Sequence, residues 1–356
     1  MTKSGSLKIW DFAHLIVPLT LRSKVSGTSK EKINEFILFF ARFKLPLHFV
    51  MKKLFYAIIA LMILSACGQS YEETKRLSRQ QRREAMRKDS AALKIAVMPT
   101  LDCLPMYVAE YHQLFDTLNG GVRLKPYMAY MDCDTALERK RVEGSVSDLV
   151  RSACMEKRGT KLRYVSATNG YWQLITNRNS RIRQLKQLDD KMIAMTRFSV
   201  TDMLCDMIVD SVKLRDEHVF RVQINDLNVR MDMLRNNEMD ALFFQEPQAT
   251  VARIAKNPVV LDTRKADMQM GVIVFREQEM RHPERHKQLD LFVKAYNSAC
   301  DSINKKGVGY YRDLIVKKCG VSAAVVDSLP KTIKYQHAIG PRQKDVDRAK
   351  KWLQKK

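Results

Sequence analysis

Three carboxylates in this 356-residue chain, Asp102, Asp132 and Glu246, each follow a short apolar run and stand among side chains that donate or accept hydrogen bonds. Thr100, Leu101 and Cys103 surround the first. Thr168 and Asn169 follow another run, Thr196, Arg197, Phe198 and Ser199 a further one, and Gln245 precedes Glu246. Groups of this kind can hold a small molecule by hydrogen bonds and charge. Bond-breaking chemistry needs an activated nucleophile, a Gly-rich phosphate cradle or converging metal ligands, and the sequence offers none of these settings. The seven histidines are scattered. His282 and His286 have the i, i+4 spacing of metal ligands, but Pro283 between them marks a helix start, so neither a metal site nor a cofactor is expected. Binding without catalysis is the expectation. Asp102, Asp132 and Glu246 outnumber Arg197, and unpaired carboxylates in a closed site repel anions, which points to a neutral or amine-bearing ligand.

The elements that must position these groups alternate strand with helix. Residues 93–98 are an apolar run ending at Pro99, a strand, and residues 104–115 carry helical spacing through Leu104, Val108, Tyr111, Leu114 and Phe115. A strand follows at 122–127, then a helix over 136–142 that Asp134 or Thr135 can cap, with strands at 163–167 and 171–176. A second block has the same grammar: strand 192–195, helix 199–212, strand 219–224, an Asp226-capped helix to Leu234, and strand 239–244. One more strand at 271–275 precedes helices that fill 283–305 and most of the rest. Such alternation predicts parallel sheets covered on both faces. Residues 142–150 answer 234–242, setting Asp148 against Asp240 at an offset of 92 residues, so two similar α/β lobes are expected, with both aspartates as turn or cap residues. Tyr171-Trp172 and Phe243-Phe244 read as core, or as an aromatic wall for a planar ligand. Ligands of open α/β sheets bind outside the carboxyl ends of the strands. That rule nominates Thr100, Asp102, Cys103, Asp132, Thr168, Asn169, Thr196, Phe198, Ser199, Gln245 and Glu246.

A different chemistry is written near the start. Met51-Lys52-Lys53 is a short positive region, residues 54–64 are almost unbroken apolar, and Leu64-Ser65-Ala66-Cys67 closes the run. A bilayer span needs about 20 apolar residues, so this shorter run reads as the core of a signal peptide. Leu-Ser-Ala-Cys closely resembles the lipobox of bacterial lipoproteins. The resemblance implies a signal peptide over 51–66, with thioether lipidation and N-acylation of Cys67, palmitate included. Met51 then reads as the true start and residues 1–50 as an extension from a start assigned too early. Residues 67–90 read as a tether: Gly68 to Ser90 is polar, with seven Lys or Arg against four acids.

The chain carries 62 basic and 39 acidic side chains, and without residues 1–66 the balance is 52 to 36, a net charge of +16. Outside the cytoplasm such a charge suits anionic lipid head groups or solubility. No aromatic-plus-basic reading surface is visible, so no nucleic-acid partner is expected. Six further cysteines, at 103, 133, 154, 205, 300 and 319, show no zinc-ribbon spacing. They read mostly as small buried apolar residues, and an oxidising compartment leaves any disulfide pairing open.

With these elements in place, the sequence is similar to the solute-binding proteins of ABC importers, in the periplasmic-binding type II group that serves nitrate, taurine, alkanesulfonates and the thiamine pyrimidine precursor. Leu93-Lys94-Ile95-Ala96-Val97 leading to Leu104-Pro105-Met106-Tyr107-Val108-Ala109-Glu110 matches the group's opening strand and helix. Gly144 to Asp148 matches its Gly-x-x-Asp step, and Asn237 to Phe244 with Gln245-Glu246-Pro247 matches the second such step. Gly271 to Phe275 and then His282-Pro283-Glu284 match its return; Asn236-Asn237 stands where Gly is usual, and the C-terminal tail does not align. Residues 91–310 carry the likeness. It implies two doubly wound α/β lobes joined by a two-crossing hinge, with lobe 1 at 91–180 plus 270–356, lobe 2 at 181–269, and crossings near 177–188 and 261–271. It implies a monomeric, non-enzymatic binding lipoprotein of the cell envelope. Such a protein captures a small-molecule solute in the interlobe cleft and delivers it to an ABC permease of the inner membrane. An enzyme or a sensor on the same fold, without a transport role, is the alternative.

Overall fold

A computed structural model describes residues 71–116 and 121–356. Cys67, the signal peptide and the 1–50 extension lie outside the described residues. The chain divides into units of residues 1–80 and 81–356. The described end of the first belongs to helix α1 (Tyr71–Ala91), so the expected tether is helical from Tyr71 onward. Polar composition reads as loose chain, but α1 holds no Gly or Pro and is rich in Arg, Glu, Gln and Lys, which are strong helix formers. Among the described residues no helix is long and apolar enough to cross a membrane.

In the second unit the chain runs β1 (Leu93–Val97), α2 (Leu104–Tyr111), β2 (Val122–Pro126), α3 (Tyr130–Glu138), β3 (Gly144–Asp148), α4 (Leu149–Lys157) and β4 (Leu162–Ala167). It continues through β5 (Gln173–Thr176), β6 (Lys191–Met195), α5 (Val200–Val212), β7 (Val219–Gln223), α6 (Leu227–Arg235), β8 (Ala241–Phe244), α7 (Gln248–Ile254) and β9 (Val259–Asp262). After β10 (Gly271–Arg276) come α8 (Glu277–Met280), α9 (Pro283–Lys306), α10 (Arg312–Cys319), α11 (Ala323–Asp327) and α12 (Gln343–Gln354).

Two five-stranded sheets result, ordered β2-β1-β3-β10-β4 and β7-β6-β8-β5-β9. Each has a parallel trio and one antiparallel strand supplied by the chain as it crosses between lobes. β10 lies between β3 and β4, and β5 between β8 and β9. This is the two-lobe, two-crossing architecture expected. The first crossing, however, is earlier than 177–188: β5 pairs with β8 and β9, so the chain changes lobe over residues 168–172 and returns over 263–270. A four-residue strand with only Leu174 and Ile175 apolar cannot announce which of two sheets will take it.

The internal repeat also needs re-registering. Ile95 pairs with Gly144 in the first sheet, and Ile193 with Ala241 in the second. Asp148 therefore corresponds to Gln245, and Asp240 to Glu143. Function follows this register: Glu143 Oε2 accepts from Lys94 N at 2.7 Å and Asp240 Oδ2 from Met192 N at 3.0 Å, each at the start of a lobe's parallel trio.

Packing explains Gly144. A Cβ there would lie 2.4 Å from the Phe275 ring, so only glycine lets β3 and β10 sit side by side with Phe275 turned inward. Phe275 meets Phe292 edge-on at 5.6 Å, and Phe292 stacks on Phe115 at 6.1 Å, tying α9 to the first sheet. Fully burying each ring contributes roughly 1.5–3 kcal/mol. The six described cysteines are free thiols, five of them buried.

The unaligned tail has a defined place. α12 packs on α4 of the first lobe and α5 of the second. Trp352 Nε1 donates to Asp206 Oδ2 at 2.6 Å, while Asp345, fully buried, accepts from Arg342 Nε at 2.6 Å. The lobes also touch directly. Leu101 N donates to Glu246 O at 2.8 Å, Leu227 N to Met128 O at 3.2 Å, and Val200 N to Asp148 Oδ1 at 3.2 Å.

Candidate functional site

Where the ends of β1, β4 and β8 meet the first crossing, a cavity of about 360 Å³ opens. Five nominated residues line it: Asp102, Thr168, Asn169, Gln245 and Glu246. Asp102 stands in a single 3-10 turn, Leu101–Cys103, that links β1 to α2. Its Oδ2 is 3.5 Å from Thr168 Oγ1, and its Oδ1 has no hydrogen-bond partner. Burial raises its pKa, against the polar groups of Thr100, Thr168 and the nearby backbone that lower it. Gln245 Oε1 accepts from Tyr130 Oη, and Gln245 Nε2 has no partner. Gly170, in the crossing, fits between these groups: a Cβ would stand 2.9 Å from Gln245 Nε2 and 3.3 Å from Asp102 Oδ2.

Glu246 differs from the expectation of an unpaired carboxylate. Arg253 Nη2 lies 2.8 Å from its Oε1, and Oε2 accepts from Thr250 N and Oγ1 at 3.1 and 2.6 Å. Its charge is cancelled within the second lobe.

Six nominated residues do not line the cavity. Thr100 and Cys103 are buried in the turn that carries Asp102, with Cys103 Sγ accepting from Met98 N at 3.4 Å. Burial, then the Asp102 charge, push the Cys103 thiol well above its ordinary range, so it stays protonated. Asp132 is exposed on the first turn of α3. Thr196 and Ser199 build the start of α5: Ser199 Oγ accepts from Thr201 N at 3.1 Å and donates to Thr196 O at 2.6 Å. Thr196 Oγ1 accepts from Arg230 Nη2 at 3.1 Å. Phe198 has φ +51° and is half exposed, and Arg197 is exposed. For Thr196 and Ser199 the physical reason is that α5 begins against Asp148 of the opposite lobe, which closes that part of the cleft.

Asp134 is not a helix cap either. It lies inside α3, buried, 3.2 Å from Arg151 Nη1, while Asp148 caps α4 by accepting from Val150 N and Arg151 N at 2.9 Å and takes Arg151 Nε at 2.8 Å. Burial holds the Asp134 pKa at about 6, against the Arg151 charge that lowers it. The Arg151 guanidinium lies 4.5 Å from the Tyr130 ring centre, and Tyr130 bonds Gln245. A buried polar chain thus joins α4 to the cavity wall.

Tyr171, read as core or as an aromatic wall, lines the cavity; sequence reasoning missed Gln173, Arg264, Gln269, Tyr296 and residues 332–336. Tyr335 Oη donates to Leu101 O at 2.8 Å, and Asn169 Nδ2 to Lys334 O at 2.7 Å, so the tail forms a fixed wall. No motif marks that segment; only its lone tyrosine hinted at a contact. Trp172, Phe243 and Phe244 are core. His286 faces Asp290 at 3.9 Å, and no three described His, Cys, Asp or Glu side chains group as metal ligands.

Two lobes, paired crossings and a cavity at the hinge define the fold of the periplasmic binding proteins of ABC importers. No family model and no curated protein matches the chain. Among solved structures it is similar to a ligand-binding component of an ABC-type import system from Staphylococcus aureus with zinc bound, at 13% identity over 74% of this chain and 91% of that one, TM-score 0.63. It is similar to the alkanesulfonate-binding protein SsuA from Xanthomonas axonopodis pv. citri bound to MOPS, at 15% identity over 74% and 91%, TM-score 0.61. The desulfurization enzyme DSZB matches at 12% over 74% and 92%, TM-score 0.56. At these identities the likeness is one of fold.

Proposed function

We propose that the chain is the substrate-binding lipoprotein of an ABC importer, holding one small neutral or amine-bearing solute in the hinge-side cavity. The observation that carries this reading is the position of the cavity. It is lined by strand ends of both lobes and by the first crossing, so a solute there touches every part that must move together on closure. Its volume of about 360 Å³ suits a molecule of metabolite size. Residues 91–167 with 271–356 make lobe 1, and 173–262 lobe 2. Asp102, Thr168, Asn169, Gln245 and Glu246 shape the site, without catalysis. Thioether lipid on Cys67 holds the monomer to the cell envelope beside its permease, with one or two acyl chains and the basic stretch after it giving firm attachment.

Mass spectrometry of small molecules released from the purified full chain tests the binding role: one stoichiometric solute is expected, and its absence from every preparation counts against the reading. Metabolic labelling with palmitate tests the lipid. Label lost in Cys67→Ala is expected, and label retained there refutes lipidation at this residue.

A further inference from the structure

Two polar atoms on the cavity wall have no hydrogen-bond partner, and their chemistry is complementary: Asp102 Oδ1 accepts and Gln245 Nε2 donates. The side chains are 4% and 5% exposed. A buried polar atom left unpaired costs about 1–3 kcal/mol, more if charged. Neither group can turn away without losing what it has, because Gln245 Oε1 holds Tyr130 Oη and Asp102 Oδ2 faces Thr168 Oγ1. Gly170 brings the two side chains to one corner: a Cβ there would stand 2.9 Å from Gln245 Nε2 and 3.3 Å from Asp102 Oδ2.

The charge at that corner has a definite sign. Glu246 is neutralised by Arg253, and Arg264 by Asp262. Lys334 Nζ is turned to Asn304 O at 3.3 Å. The side chains acting on or facing Asp102 are Thr100, Cys103, Tyr107, Tyr130, Thr168, Tyr296, Cys319 and Tyr335, none of them a cation. Among the described residues no Lys, Arg or His forms an ion pair with it. Of the two acids that line the cavity, Glu246 is paired and Asp102 is not, and a carboxyl so deeply buried either holds a proton or gains a cation beside it.

Resting on the solute-binding reading, we propose that the site selects a small organic cation: a protonated amine with a hydrogen-bond acceptor, an oxygen or ring nitrogen, a few ångström from it. The ammonium sits on Asp102 Oδ1 and the acceptor on Gln245 Nε2, so Asp102 determines charge specificity and Gln245 the neighbouring group. Simple anions are rejected.

Four matched probes test this by thermal shift on the full chain. 2-(Aminomethyl)pyridine carries the cation and the adjacent acceptor, 2-pyridinemethanol is its neutral counterpart, picolinate its anionic one, and benzylamine keeps the cation without the acceptor. Fragments of this size bind in the millimolar range, so about 10 mM of each is used. The aminomethylpyridine is expected to stabilise most and picolinate not at all. Asp102→Asn, close in shape, should weaken the aminomethylpyridine about tenfold, roughly 1.4 kcal/mol, and leave the alcohol unchanged. Gln245→Leu should erase its advantage over benzylamine. Picolinate stabilising best, no shift with the aminomethylpyridine, or an unchanged shift in Asp102→Asn overturns the proposal. A neutral or anionic solute released from the purified chain would overturn the cation while leaving solute binding intact. No probe binding together with no released solute would remove both.

Discussion

Replacing Arg151 by Met tests the buried chain behind the cavity. Arg151 is 2% exposed and lies between two buried carboxylates, 2.8 Å from Asp148 and 3.2 Å from Asp134. Asp148 would keep Val150 N, the residue 151 backbone N and Val200 N. Asp134 would lose its cation, and its Oδ1 already has no partner. Breaking a buried pair from one side costs about 3–5 kcal/mol, which in a domain of this size lowers Tm by roughly 6–20 °C. The loss depends on pH. Asp134 sits at about 6 in the fold against 3.8 as its ordinary value, so its stability contribution is complete below 3.8 and falls as pH rises through 6. Without Arg151 its pKa moves higher still. The variant is therefore expected to lose most near pH 7.5 and less near pH 5, where Asp134 is protonated and needs no cation. Urea denaturation at both pH values measures this, and Asp134→Asn in the same background should recover most of the neutral-pH loss. A loss under about 1 kcal/mol near pH 7.5, or equal losses at both pH values, would refute the reasoning.

Three further outcomes follow from the geometry. Gly170→Ala puts a methyl 2.9 Å from Gln245 Nε2, and should fold with a loss of about 1–3 kcal/mol while abolishing ligand-induced stabilisation in thermal shift. Trp352→Phe removes the 2.6 Å bond to Asp206, and should cost about 1.5–3 kcal/mol in urea denaturation and raise amide exchange in the middle of α5. Cys103, Cys133, Cys154, Cys205, Cys300 and Cys319 are free, so all six should take iodoacetamide when the chain is unfolded without reductant, read by peptide mass spectrometry.

The alternation of elements was legible because each strand and helix carries its own period, and the likeness of the lobes showed in two runs of similar order. What failed was register. Similar residues at Asp148 and Asp240 suggested an equivalence that strand pairing assigns to Asp148 with Gln245, since a match by residue type ignores where a strand begins. The strand-end rule found Asp102, Thr168, Asn169, Gln245 and Glu246 but could not see that Ser199 and Thr196 face a sealed part of the cleft, because that sealing is a contact between lobes distant in sequence. Tyr296 and Tyr335 escaped for the same reason: a long helix and an irregular tail reach the site only through packing.

The bonds that link Leu101 to Glu246, Leu227 to Met128 and Val200 to Asp148 make the cleft a door with its own latch. A solute that enters by the parting of the halves has to break all three. Uptake should therefore be paced by the frequency with which the halves swing apart. Raising solute concentration would speed capture only up to that ceiling, after which the observed rate levels off.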